Sequence, residues 1–405
     1  MHKVFYSLLL TIILSYNSSN GQWILQTSGT SNTLFDAYFL NADTGFIVGD
    51  NGIILTTIDA GNNWNQQFAP NTFVYLLCIH FPTNEVGYIG GQDGYIAKTT
   101  DGGLNFFDVT QPQSWDNISS ILFLSEDIGF VTSLSGIYKT IDGANSWQLV
   151  SGWPIGDTED LCFVNDSVGY SIGEYFQKTI DGGNNWVVMD TFTLNNPRSI
   201  FFTSKDTGYI AFGEPAILKT TDGGLSWNSL AIPVSSSPYV IYSITFTSSN
   251  EGFAVGGYYQ DRAIILHTND GGDSWVIQME DSSLDMLTTI YFPNDSIGYT
   301  ASAGGHVLKT DNGLSSTVEK FNNTSVLSVT PNPFSTSTTI QTRNLLSDAT
   351  LSVYNSQGEP VQQINNLFGH TVVFNASNLP AGLYFFRLSQ KNNILTTGKL
   401  IISKN

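Results

Sequence analysis

Ile217-Leu-Lys-Thr-Thr-Asp-Gly-Gly-Leu-Ser-Trp227 decides the fold, because variants of this stretch recur along the chain. The recurrences are Thr57-Ile-Asp59-Ala-Gly61-Asn-Asn-Trp64, Thr99-Thr-Asp101-Gly-Gly103-Leu-Asn-Phe106, Thr140-Ile-Asp142-Gly-Ala144-Asn-Ser-Trp147, Thr179-Ile-Asp181-Gly-Gly183-Asn-Asn-Trp186 and Thr268-Asn-Asp270-Gly-Gly272-Asp-Ser-Trp275. A worn seventh copy starts at Asp311, and with Asp222 the Asp-to-Asp steps are 42, 41, 39, 41, 48 and 41 residues. A second marker keeps the same beat upstream: Gly45-Phe46, Gly87-Tyr88, Gly129-Phe130, Gly169-Tyr170, Gly208-Tyr209, Gly252-Phe253 and Gly298-Tyr299. A period near 40 with apolar runs only as long as strands means four short strands per unit, which is a β-propeller blade. The box itself reads as the turn between the third and fourth strands. Its Asp accepts backbone N–H bonds, its Gly takes positive φ, and its Trp packs between sheets. In blade 2 the expected strands are 76–81, 87–90 and 95–99, with a fourth from Phe106.

The composition agrees with an all-β chain. Of 405 residues 12% are charged, about half the usual share, while 41% are hydrophobic, 13% aromatic and 38 are Gly. The formal charge of −19 argues against nucleic acid as a partner, since phosphate binding needs a basic footprint. Lys3 followed by the apolar stretch Val4 to Leu14 and the small polar run Ser15 to Gly21 reads as a signal peptide over 1–21. It is too short to span a bilayer, which takes roughly 20 residues. No later stretch suits a membrane helix, so the chain is not expected to be an integral membrane protein. Cys78 and Cys162 fall in blades 2 and 4 when aligned on the Gly marker. A disulfide needs Cα atoms within about 7 Å, so both are expected to stay unpaired. The five His show neither HExxH nor HxxxH spacing, and each box offers one Asp, so no metal and no cofactor is expected.

These boxes resemble the Asp-box, the sialidase-type repeat of several propeller families. The whole unit is most similar to the photosystem II assembly-factor type of seven-bladed propeller. The resemblance covers 22–316 and implies seven blades. Asp59, Asp101, Asp142, Asp181, Asp222, Asp270 and Asp311 are then structural turn residues. The seventh box lacks a Trp-led outer strand, while Trp23-Ile-Leu-Gln26 is such a strand with no box before it. Residues 23–26 are therefore expected to complete blade 7 and cover its open edge.

After a polar linker at 317–326 the character changes. Pro331-Asn-Pro-Phe334, Thr350-Leu-Ser-Val-Tyr354 before a turn at Gly358, Leu379-Pro-Ala-Gly-Leu-Tyr-Phe-Phe-Arg-Leu388 and Gly398-Lys-Leu-Ile-Ile402 follow in order. Period-2 strands and no helical stretch make 327–405 a small β-sandwich. This block is similar to the type A C-terminal sorting domain of the type IX secretion system. The resemblance implies the type IX secretion machinery as a partner and delivery to the outer cell surface or the medium.

Enzymes of Asp-box type need machinery that can be checked. Sialidases resemble one another in an arginine triad, and the propeller holds two arginines, Arg198 and Arg262. Relatives of the assembly-factor type carry an arginine on the inner strand of several blades, and here only Arg198 sits there. No GxSxG, P-loop or Cys–His pattern occurs. The expected function is non-catalytic binding or scaffolding of an extracellular glycan, polymer or protein. A glycoside hydrolase other than a sialidase, built on paired carboxylates, is the alternative. Propeller ligands use the face built by the loops between strands 2 and 3 and between strands 4 and 1. Trp115 and Trp153 stand outside the repeat and fall just before the inner strands of blades 3 and 4. With Asp116, Asp157, Glu159 and Asp160 in nearby loops, and Glu174, Glu214, Tyr258 and Tyr259 across the mouth, they form the candidate binding face.

Overall fold

A computed structural model describes residues 23–311 and 326–403, apart from 113–115, 153–157, 190–195, 214–216, 234–238, 259–261, 356–359, 377–378 and 391–392. The segment read as a signal peptide lies outside the described residues. The chain divides into two compact units, Met1–Ser315 and Ser316–Asn405.

In the first unit the described residues form seven four-stranded antiparallel sheets. Blade 2 is typical, with strands Leu76–His80, Gly87–Gly91, Ile96–Thr99 and Phe107–Asp108 in that order. The inner strands touch in cyclic order, and the ring closes where the Thr288 hydroxyl donates to the Leu34 carbonyl at 2.6 Å. Ile24–Gln26 pairs with Val307–Thr310 as the fourth strand of blade 7, in the register Ile24 to Lys309 through Gln26 to Val307. The N-terminal strand therefore clasps the ring shut.

The two sequence markers have one physical cause. In each blade a Phe at the end of the inner strand, or one residue past it, lies over the Gly six residues later, so a Cβ there would sink into the ring. For Gly208 it would lie 2.5 Å from the Phe202 ring. The aromatic after that Gly points the other way and stacks on the inner-strand Phe of the next blade. Tyr88 on Phe123 and Tyr170 on Phe202 are both nearly parallel at 3.6 Å. Tyr299 on Phe39 at 3.9 Å joins blade 7 to blade 1, and corresponding pairs fill the other four junctions. The box Trp then meets the pair edge-on, as Trp186 does with Phe163 at 5.9 Å. In blade 7 Trp23 takes that role against Phe292 at 6.2 Å, and its indole donates to Gln278 at 2.9 Å. The core is this ring of aromatic interfaces between blades, where edge and offset contacts add to plain burial.

The box turns are wired alike. The Thr179 hydroxyl donates to Asp181 Oδ1 and accepts the Gly183 amide, while Asn185 donates to both carboxylate oxygens from backbone and side chain. Those bonds from Asn185 hold the exposed Asp181 carboxyl down at about 2, and Ser226 does the same for Asp222. The same set of donors serves Asp59, Asp101, Asp142 and Asp270. Third-strand lysines link blades. Lys139 Nζ lies 5.4 Å from the Phe130 ring centre and donates to the Gly182 carbonyl of blade 4 at 2.7 Å.

The second unit is a five-stranded antiparallel sheet. Val326–Thr330, Ser337–Tyr354, Gly382–Gln390 and Asn393–Ile402 follow one another, and Pro360–Asn375 also pairs with Ser337–Tyr354. The bulged 18-residue strand Ser337–Tyr354 lets the sheet curl around Ile340, Leu351, Val353, Phe374, Phe386 and Leu388. The Pro331 to Phe334 motif caps the edge of the last strand. Asn332 accepts from the Ile401 amide and donates to the Lys399 carbonyl, and the Phe334 backbone pairs with Ile401 and Ser403.

Candidate functional site

The face opposite the boxes is built from the 2–3 turns and the 4–1 loops. Between blades 1 and 2 the 4–1 loop is anchored by buried Val74, whose carbonyl takes the Gly52 amide at 2.7 Å. That anchor leaves the neighbouring Phe73 92% exposed and Tyr75 45% exposed. The adjoining 2–3 turn of blade 2 carries exposed Asp93, whose amide bonds to Asn117 of the next loop. In the same sector Asp116 accepts from Ser135 beside Leu134, which is 54% exposed. Three exposed apolar side chains with two carboxylates thus stand in blades 1 to 3. Across the face, blade 6 rises higher than its neighbours. Its strands Gly252–Tyr258 and Arg262–Thr268 are seven residues each, and they absorb most of the long step of 48. Near the hairpin tip Arg262 donates to Glu280 at 3.0 Å and to the Tyr239 hydroxyl at 3.1 Å. Tyr258 is exposed at its tip.

The sequence-based candidates fall into three groups. Trp115, Trp153, Asp157, Glu214 and Tyr259 lie outside the described residues. Glu174 is exposed in the 2–3 turn of blade 4, on the expected face with Tyr258. Glu159 and Asp160 are not loop acids, since both lie in the inner strand Thr158–Phe163. A bulge there, between Thr158 and Asp160, turns Asp160 inward, where its carboxylate takes the amides of Leu161 at 2.8 Å and of Ile200 in blade 5 at 3.0 Å. Asp36 does the same in blade 1, taking Ala37 and Ile79 of blade 2, with Thr289 of blade 7 as a third donor. Burial pushes Asp36 up to about 7 and Asp160 up to about 6, and it pushes the neighbouring His80 down to about 4. These acids join inner strands. Arg198 sits at the matching bulge of blade 5, its guanidinium 5.3 Å from the Tyr242 ring centre. Phe73 and Tyr75 escaped sequence reasoning, because a lone loop aromatic carries no periodic signal. Cys78 and Cys162 lie in blades 2 and 4, and both are free thiols.

Seven such sheets around one axis make the first unit a seven-bladed β-propeller. The chain belongs to the family described as photosynthesis system II assembly factor YCF48, whose model matches residues 16–167 and 180–284. Residues 328–403 match the secretion system C-terminal sorting domain, which indicates secretion. Among solved structures, YCF48 bound to D1 peptide aligns with a TM-score of 0.61 at 20% identity, over 71% of this chain and 94% of that one. YCF48 from Cyanidioschyzon merolae aligns with 0.59 at 19%, over 71% and 98%. The WD40 propeller of Doa1 aligns with 0.56 at 11%, over 71% and 97%. At these identities the likeness shows the fold alone. No curated protein matches the sequence. No helix among the described residues is long and apolar enough to cross a membrane.

Proposed function

We propose that this chain is an exported, non-catalytic β-propeller. It binds an extracellular protein segment or glycan on the face opposite its box turns, and residues 327–405 deliver it to the cell surface or the medium. The observation that carries the binding role is Phe73, held 92% exposed on a loop anchored by Val74, on the face that also carries Tyr75, Leu134, Asp93 and Asp116. Exposed aromatics fixed on a rigid scaffold are the raw material of a recognition hot spot. Carboxylates around them disfavour anionic ligands. Between residues 22 and 316 stand 31 of the 34 acidic residues but only 8 of the 15 basic ones, which extends that preference over the propeller. The YCF48 structure with a D1 peptide is a family propeller holding a peptide, which favours a protein segment as ligand.

The glycosidase alternative needs an accessible carboxylic acid of raised pKa facing a second carboxylate. Among the described residues the two carboxyls raised by burial, Asp36 and Asp160, instead have both oxygens engaged by backbone amides, which supports the non-catalytic reading. Two experiments test the proposal. Deleting 327–405 should retain the chain in the periplasm, and normal surface delivery of the shortened chain would refute the sorting role. Substituting Phe73, Trp115 and Trp153 together by Ala should abolish retention on immobilised peptides or neutral polysaccharides while leaving the melting temperature within a few degrees of wild type.

A further inference from the structure

The outer face of the C-terminal sheet differs from an ordinary solvated face. Along Gly382–Gln390 the side chains alternate, with Tyr384, Phe386 and Leu388 buried and Leu383, Phe385 and Arg387 exposed. The next strand does the same, burying Leu400 and Ile402 and exposing Lys399 and Ile401. Register brings the exposed set together. Leu383 faces Ile401, Phe385 faces Lys399 on one side and Tyr354 on the other, and Arg387 faces Ser352. Leu383, Phe385 and Ile401 remain 42%, 38% and 41% exposed. The Arg387 guanidinium lies 5.6 Å from the Tyr354 ring centre, so the aromatic and cationic groups form one stripe. A sheet face in water normally carries polar side chains. Here Tyr354, Leu383, Phe385 and Ile401 stand with the cations Arg387 and Lys399 in one stripe, beside Ser352.

The C-terminal end of the last strand is closed at its outer edge. Asn332 and Phe334 already occupy the backbone groups of Lys399, Ile401 and Ser403, so a partner cannot add a strand there.

We propose that the stripe of Tyr354, Leu383, Phe385, Arg387, Lys399 and Ile401 is the surface by which the outer-membrane export machinery recognises this chain. This rests on the sorting role proposed for 327–405. The occupant is a protein surface of complementary chemistry, an apolar patch rimmed by carboxylates. Charge supports that choice, since residues 317–405 hold six basic and three acidic residues while the propeller is strongly acidic. A rim of carboxylates would attract the sorting unit and repel the propeller, so charge alone would steer the correct end of the chain into the acceptor.

The test uses the full chain in a strain carrying this secretion system. The fraction of chain cut by protease added to intact cells is compared with the fraction released from the periplasm. Phe385→Ser with Ile401→Ser, and separately Arg387→Glu with Lys399→Glu, should each lower the surface fraction at least tenfold with matching periplasmic accumulation. Phe368→Ser, at a residue 63% exposed two strands away from Phe385, should leave delivery unchanged. The charge-reversed pair touches only exposed side chains, so it decides the matter even if the apolar pair unfolds the unit. Normal delivery of the charge-reversed chain, or an equal loss with Phe368→Ser, overturns the proposal. If deleting 327–405 also leaves delivery normal, the sorting role itself fails. If the deletion blocks delivery and the charge reversal does not, only the recognition surface is wrong.

Discussion

Trp23→Ala probes the closure of the ring at its weakest point. The closing strand is only three residues long, and Ile24 and Leu25 are 49% and 55% exposed, so its apolar hold rests on Trp23, which is 8% exposed. A Trp buries about 150–250 Å², and at about 25 cal/mol per Å² that is about 4–6 kcal/mol as an upper bound. Core Trp-to-Ala replacements cost about 3–5 kcal/mol, and the hydrogen bond to Gln278 adds about 1 kcal/mol. The expected loss is therefore about 4 kcal/mol, read from guanidinium unfolding followed by far-ultraviolet circular dichroism. Leu25→Ser in the same strand should cost under about 1 kcal/mol. If Trp23→Ala costs no more than Leu25→Ser, the clasp does not secure the propeller and the reasoning is wrong.

Two further predictions concern the blades. Gly208→Ala places a methyl group 2.5 Å from the Phe202 ring and should cost about 2–3 kcal/mol. Gly102→Ala, whose nearest neighbour is the Asn84 carbonyl at 3.2 Å but whose φ is +71°, should cost only about 1 kcal/mol. Equal costs at the two sites would contradict the Phe-on-Gly lock. Stability should also depend on pH. Burial raises Asp36 to about 7 and Asp160 to about 6, so the folded chain binds more protons than the unfolded one above the ordinary value of 3.8. Their contribution is full below that value and is lost as pH rises through the folded values. His80, lowered to about 4, works the other way. Its contribution is present above its ordinary 6.5 and is lost as pH falls toward 4. Between pH 6.5 and 8 the carboxyls act alone. The melting temperature should fall across that window, less so in Asp36→Asn, and a rise would contradict the assignment.

Much of this architecture was legible in the sequence because a propeller repeats its instructions. Two markers every 40 residues or so are enough to place the blades, and the orphan Trp23 strand exposes how the ring closes. What the markers do escaped the reading. The ring that stacks on Tyr88 is Phe123, 35 residues later in the next blade, and no local pattern announces that contact. Asp160 was misplaced for a related reason. A bulge in the inner strand breaks the two-residue alternation, so an acid that reads as belonging to a loop ends up bridging two blades. The candidate binding face was legible only as a face. Its position follows from topology, whereas Phe73 owes its exposure to the anchoring of Val74, a tertiary fact. In the C-terminal unit the Pro331 to Phe334 motif was visible as a signature, but its work as an edge cap depends on a strand almost 70 residues downstream.

The central claim is that this is an exported propeller that binds without turnover. Its most direct test runs the purified chain through gels cast with xyloglucan, laminarin or mannan, and over arrays of neutral and basic peptides. Reducing ends are assayed on the same polysaccharides. Wild-type protein should be retained by at least one probe, with no reducing ends above those of a heat-inactivated control. The chain with Ala at Phe73, Trp115 and Trp153 should run free with its melting temperature unchanged. Reducing-end release by the wild type, or retention that survives the triple substitution, would contradict the account.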